Sequence, residues 1–394
     1  MRLLKMMMCA AVLLFFTAAP VFSQMTLGGW GRMVFVPVFI DVDGDVRSVV
    51  HAPWSEEGAM EFSISGVSIN IGLDFNMVVM RDRVDQIGLA HVWWRPNPFL
   101  RMSIGMGRAA QLRGMEATSG SLPYSRGRLT RHTNMTDPFV RIDDGDGIFS
   151  RFNLERMGAL FEITPMPGLF IGLAFAPDFN NDRGSLFVDT MQGVHAAVGY
   201  NLPGIGLFRV GYIGPGQGAA GNIANAGNNP DFSLDQRIEA AFRLNMMPNF
   251  AIDVGFKWSL EQNPGTLSVA GFSLQNPLYA AFVVRYTGVR DLTITLAAEG
   301  HFLGNADTSA PQIAFNLFPM YNLRANLYVG ADISFGMQLG DQAGVNDRQV
   351  LGFGGFIHRS YSNGNVRAGV FANAPMNDGQ QWGMSVPIWI TYFF

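Results

Sequence analysis

The feature that most constrains this chain is a two-residue alternation of large apolar and small or polar side chains that recurs along it. In Phe250-Ala251-Ile252-Asp253-Val254-Gly255-Phe256-Lys257-Trp258-Ser259-Leu260 every even position is large and apolar. Val67–Asn76, Leu292–Phe302 and Leu323–Phe335 repeat the pattern, and weaker versions lie near 26–40, 84–95, 99–108, 156–164, 169–176, 190–200, 206–213, 234–244, 278–286, 312–318, 349–357, 365–373 and 382–394. Successive side chains of a strand point to opposite faces, so each segment has one apolar and one wet face. After residue 24 no apolar run reaches the roughly 18 residues of a membrane helix. The 46 glycines are poor helix composition. The chain reads as all-β.

The wet face is charged. It carries Asp74, Arg209, Asp253, Lys257, Arg285, Glu299, His301, Arg324 and Asp332. The segments also exceed the five or six residues, roughly, of a soluble-protein strand, and match the ~9–11 residues of a tilted membrane-spanning one. A sheet closed around water turns its polar face inward and its apolar face to lipid. Phe250 and Trp258 share the apolar face eight residues apart, about 20 Å along the membrane normal after tilt.

Connections alternate in length. Short proline-bearing turns are expected at Pro96–Pro98, Pro165–Gly168, Leu202–Gly204, Met246–Asn249 and Phe318–Asn322, between longer polar stretches at 177–189, 214–233, 261–275, 303–309, 336–347 and 375–381. Short periplasmic turns and long extracellular loops are the outer-membrane pattern. Seventeen segments are legible. A chain that starts and ends in the periplasm needs an even number, so one strand is missing, within 41–62, or one is false. The expectation is a transmembrane antiparallel up-and-down barrel over 24–394 with 16 or 18 strands, wide enough for an aqueous bore.

Residues 1–23 read as a signal peptide. Arg2 and Lys5 precede the apolar run Met6–Ala19, and Val21-Phe22-Ser23 places cleavage after Ser23. Cys9, the one cysteine, lies too early and beside too many methionines for a lipid anchor. Cleavage leaves no thiol for a disulfide or metal site, and 25 basic against 31 acidic residues. That acidic balance gives no footprint for nucleic acid.

The last strand, Trp382–Phe394, places Val386, Ile388, Ile390, Tyr392 and Phe394 on one face and stops on an aromatic. It resembles the C-terminal signature of bacterial outer-membrane proteins, and the mature chain has a general likeness to porins. The resemblance implies that Ile388, Ile390, Tyr392 and Phe394 form the signal read by the barrel assembly machinery. It implies outer-membrane lipids and small polar solutes as partners, and it admits a homotrimer.

One segment breaks the rhythm. Residues 109–154 hold Arg113, Arg126, Arg128, Arg131, Arg141 and Arg151 with Asp137, Asp143, Asp144 and Asp146. The segment is similar to the long porin loop that folds into the bore and sets acids against a basic cluster; the alternative is an exposed surface loop. Lys257 is the one lysine after residue 23. Wet-face Arg101, Arg156, Arg209, Arg285 and Arg324 suit a ladder along the lumen, since arginine keeps its charge when partly dehydrated; codon bias explains the composition equally well.

Catalytic motifs are lacking, and no enzyme or cofactor is expected. The six histidines show no metal-ligand spacing. Asp41-Val42-Asp43-Gly44-Asp45 opens like a calcium loop but misplaces its glycine and lacks the closing glutamate, so it reads as a polar turn. Three functions fit: a diffusion porin, a selective transporter, and an adhesin or structural barrel acting through its loops. The first strand begins near Thr26, leaving no room for an N-terminal plug, which favours the porin.

Overall fold

The computed structural model describes residues 24–40, 46–51, 59–80, 84–108, 155–175, 194–213, 237–259, 268–269, 272–273, 278–302, 312–338, 349–376 and 382–394. The strands are β1 (Gln24–Ile40), β2 (Val46–His51), β3 (Ala59–Val67), β4 (Ile71–Met80), β5 (Val84–Asn97), β6 (Leu100–Arg108), β7 (Glu155–Met166), β8 (Leu169–Phe175), β9 (Val194–Leu202), β10 (Gly206–Ile213) and β11 (Arg237–Leu244). They continue as β12 (Phe250–Ser259), the small hairpin β13 (Ser268–Val269) and β14 (Phe272–Ser273), then β15 (Leu278–Val289), β16 (Leu292–Phe302), β17 (Gln312–Arg324), β18 (Leu327–Gln338), β19 (Gln349–Tyr361), β20 (Gly364–Pro375), β21 (Gly383–Ser385) and β22 (Ile388–Phe393).

Every ladder of the large sheet is antiparallel, and strands adjacent in the chain are adjacent in the sheet. β1 closes the barrel. Its residues 24–32 pair with β3 and 34–40 with β2 on one side, while 30–35 pair with β22 and 39–40 with β21 on the other. β2 and β3 are thus one barrel strand in two pieces, as are β21 and β22, broken at Val386-Pro387. With β13 and β14 set aside, the barrel has 18 strands. The missing strand falls within 41–62 but runs on to Val67.

The eight connections at the end that also holds Gln24 and Phe394 are all short, which marks it as the periplasmic end. In each, a turn carbonyl accepts a hydrogen bond from a backbone N–H further along the sheet. Asn70 accepts from Arg95 N (2.7 Å), Phe99 from Thr164 (2.8 Å), Gly168 from Asn201 (2.8 Å) and Ile205 from Asn245 (2.8 Å). Asn249 accepts from Thr287 (2.9 Å), Asp291 from Asn322 (2.7 Å), Asn326 from Ser360 (2.9 Å) and Asn363 from Phe393 (2.8 Å). The ladder therefore continues past the strand ends into the rim.

Three boundaries correct the sequence reading. Val67–Asn76 is not one strand: Ser68-Ile69-Asn70 is the turn between β3 and β4. Phe318–Asn322 is not a turn but the middle of β17, where the β17–β18 register passes from Leu317↔Ile333 to Met320↔Gly330 around Pro319. Proline has no N–H for the ladder, and here the barrel absorbs the gap. Leu323–Phe335 accordingly crosses a turn at Ala325-Asn326, where Asn326 has φ 67°, a left-handed conformation that asparagine tolerates.

The outer face is apolar. Val254, Phe256, Phe282, Leu296, Phe315, Leu317, Ile333, Leu351, Phe353 and Ile357 are all exposed, and Ile390 and Tyr392 of the last strand join them. Along β19 burial alternates residue by residue, with Val350, Gly352, Phe356 and His358 buried between exposed neighbours. On the inner face aromatic rings lie across glycines of the adjoining strand. A Cβ on Gly72 would overlap the Trp93 ring, one on Gly330 the Phe356 ring, and one on Gly354 the Phe371 ring. Glycine, weak in a strand on its own, is used here for close approach. Gly354→Ala is expected to destabilise the barrel by about 1–3 kcal/mol through overpacking. Outward Gly355, whose nearest atom is Gly330 O at 3.7 Å, should tolerate alanine. Urea unfolding in lipid vesicles compares the two, and equal stabilities would contradict the ring placement.

Candidate functional site: the charged inner wall

The inward face of β4 to β7 gathers one cluster. Trp93 Nε1 donates to Asp74 Oδ2 (3.1 Å), and His91 Nε2 lies 3.3 Å from the same oxygen. Arg101 bridges two acids, with its guanidinium 3.6 Å from Asp74 and 3.3 Å from Glu162. It also stacks over the Trp93 ring at 4.7 Å. Period-2 geometry brings these side chains together, because Asp74 stands opposite His91, and Arg101 opposite Glu162, in adjacent ladders.

β10 to β15 carry a second cluster. Arg243 makes a two-pronged contact with Asp253, Nε donating to Oδ1 at 2.7 Å and the terminal nitrogen to Oδ2 at 3.0 Å. Both side chains are buried, at 2% and 4% exposure, so each charge depends on the other. Glu239 is buried on the same strand as Arg243, and Arg209 on the neighbouring β10. Arg285, opposite Ala251, stands one diagonal step from Asp253. Further round, Asn316 donates to Asp332 at 2.6 Å, and Arg367 Nε donates to His358 Nδ1 at 3.1 Å. Accepting at Nδ1 places the His358 proton on Nε2, which faces Ser360 Oγ at 2.6 Å.

Beside these groups the inner wall of β17, β19, β20, β22 and β1 carries an apolar patch among buried polar residues such as Asn373 and Thr391. Phe318, Phe356, Phe371, Trp389 and Val36 form one buried cluster with Met320 against it, the Phe318 and Phe356 rings stacked at 5.2 Å. Arg367 covers Trp389 at 5.4 Å from the ring centre. The lumen therefore has a charged wall and an aromatic patch.

Of the residues singled out from sequence, Arg101, Arg209, Asp253 and Arg285 stand on the charged wall, while Arg324 is exposed at the periplasmic end of β17. Arg156 stands opposite Gly107, Lys257 opposite Glu239, and Glu299 opposite Ala281 and Ala314; their side chains lie outside the described residues. So do Arg113, Arg126, Arg128, Arg131, Asp137, Arg141, Asp143, Asp144, Asp146 and Arg151, with the whole of 109–154. Arg101 of the expected ladder pairs with two carboxylates, and Arg243, which stood outside it, pairs with one. Sequence reading passed over His91, Glu162, Glu239, Arg243, His358 and Arg367. Glu239 and Arg243, four apart on a strand with weak alternation, were visible as same-face charges once parity was fixed.

The closed sheet, its apolar outside and its polar inside decide the architecture. It is an outer-membrane barrel. No family model matches the chain, and no curated protein matches its sequence. Among solved structures it is similar to OpdL of Pseudomonas aeruginosa, with a TM-score of 0.53 and 11% identity over 94% of this chain and 99% of that one. OccK2 (OpdF) of the same species, solved in complex with glucuronate, gives 0.52 and 12% over 95% and 98%. OccAB4 of Acinetobacter baumannii gives 0.50 and 8% over 95% and 98%.

Asp253→Ala should cost about 3–5 kcal/mol, because it leaves the Arg243 charge buried alone. The double change Arg243→Met with Asp253→Leu should cost much less. Vesicle unfolding curves for both report the difference, and a neutral Asp253→Ala would contradict the buried pair.

Proposed function

We propose that the barrel is a passive diffusion channel for small polar solutes. The observation that carries this reading is the inversion of faces: Arg101, Arg209, Arg243, Glu162, Glu239, Asp253 and Asp332 turn inward while the outside is apolar. Charges in that position have no partner in lipid and belong to a polar interior. A barrel of 16–18 strands, roughly, has a bore that side chains alone do not fill. Ions and polar solutes exchange hydration for the charged groups that the wall leaves partly open, such as Asp74 and Arg101 with side chains 31% and 15% exposed, whereas an apolar solute displaces that water without replacing its hydrogen bonds.

Planar-bilayer recording tests the proposal. Purified barrel should insert with discrete, reproducible conductance steps. Folded barrel that inserts but passes no current would refute a channel and favour a structural or adhesive role.

Ion preference gives a second test at a named residue. Arg101→Ala removes one positive charge from beside Asp74 and Glu162, so the reversal potential under a salt gradient should shift toward cations. An unchanged reversal potential would place Arg101 outside the ion path.

A further inference from the structure

The periplasmic rim has two chemically different halves. The five turns from β3 to β12 each present an apolar side chain: Ile69, Phe99, Met166 at the lip of its turn, Ile205, and Met246 with Met247. Ile69 is 92% exposed and Met246 59%. The next three turns, Arg290-Asp291, Ala325-Asn326 and Ser362-Asn363, carry no large apolar side chain themselves, although Val289 and Leu323 are exposed on the strands just above two of them, at 48% and 52%. The Arg290 side chain is 95% exposed beside Asp291.

We propose that the β3–β12 half of the rim is seated in the periplasmic leaflet of the membrane, in contact with phospholipid acyl chains, while the β15–β20 half stays in water. Continuity with the lipid-facing belt is the first argument. Val67 and Ile71 are outward and exposed on either side of Ile69, so the apolar surface of the strands reaches the turn, where Ile69 stands between Ser68 and Asn70. Two residues of tilted strand extend it by about 5 Å along the normal. On the other half exposed Tyr321, Tyr361 and Tyr392 mark an interface above polar turns, as tyrosine does where an apolar ring meets headgroup water.

The backbone supplies an independent argument. A turn leaves water cheaply only if its own polar groups are satisfied. The carbonyls of Asn70, Phe99, Gly168, Ile205 and Asn249 all accept from neighbouring strands. Four of these five turns also contain proline, at Pro98, Pro167, Pro203 and Pro248, and so have one fewer N–H to satisfy. The three polar turns contain none. Apolar side chains and missing donors thus coincide on one contiguous half, while the satisfied carbonyls are common to all eight turns. The expected consequence is a barrel that sits with its axis inclined, its β3–β12 rim drawn into the membrane and its β15–β20 rim projecting into the periplasm.

Spin labels test the seating. Single cysteines are placed in the full chain carrying Cys9→Ser, at Ile69, Phe99 and Met246 on one half and at Arg290 and Ser362 on the other, with Met247→Cys as a second site in the β11–β12 turn. In phospholipid vesicles the ratio of oxygen to water-soluble nickel-chelate collisions is measured at each. The proposal expects oxygen to dominate at the first set and nickel at the second. Nickel dominance at both sets would overturn it. Shielding of the first set from both reagents would also overturn it, since that result means contact with protein, such as a second copy of the chain. Neither result depends on whether the barrel conducts.

Discussion

Closure of the sheet between β1 and β22 is the interaction on which the rest of this molecule depends. Inside a bilayer no water is available to an unpaired N–H or C=O, so an open edge at membrane depth is not a stable state. β1 meets this by pairing along both edges: with β3 and β2 on one side, and with β22 and β21 on the other. The last residue is included, since Gly29 and Phe394 exchange both backbone hydrogen bonds at 3.1 Å, and the Phe394 ring packs edge-on against Phe62 at 5.6 Å. The turn carbonyls extend the same satisfaction to the rim.

Once the edge is closed, parity assigns every side chain to lipid or lumen, and a slip of one residue would exchange the two sets. The inner wall answers two demands. Charges on it are held by opposite charges across the strands, as Arg101 is between Asp74 and Glu162 and Arg243 is against Asp253. Its rings are accommodated by glycine on the neighbouring strand, as Phe371 is by Gly354. The sequence's high glycine content, a liability for an isolated strand, is in part the means by which large inward side chains lie flat.

The alternation and the C-terminal strand carried most of the fold, because burial in lipid demands a period of two wherever a strand spans. The misreadings share one cause. Ile69 lies in a turn yet is apolar, so the alternation ran on from Val67 to Asn76; Pro319 lies in a strand yet is a turn former, so the boundary between β17 and β18 moved seven residues too early. Both depart from local propensity because position in the barrel overrides it. The charged wall was half legible: Arg101 and Asp253 follow from parity, but their partners depend on cross-strand register, which a single sequence does not contain. The mixed-charge segment 109–154 lies outside the described residues.

The central claim, that one face of every strand meets lipid while the other encloses a polar interior, is tested most directly by photolabelling from within the membrane. A carbene released from an acyl chain, followed by residue-level mapping, should mark Val254, Phe256, Phe282, Leu296, Ile333 and Phe353, and should spare Asp253, Thr295, Asn316 and Asp332. Label on the second set, or on consecutive residues without the two-residue period, would contradict the account.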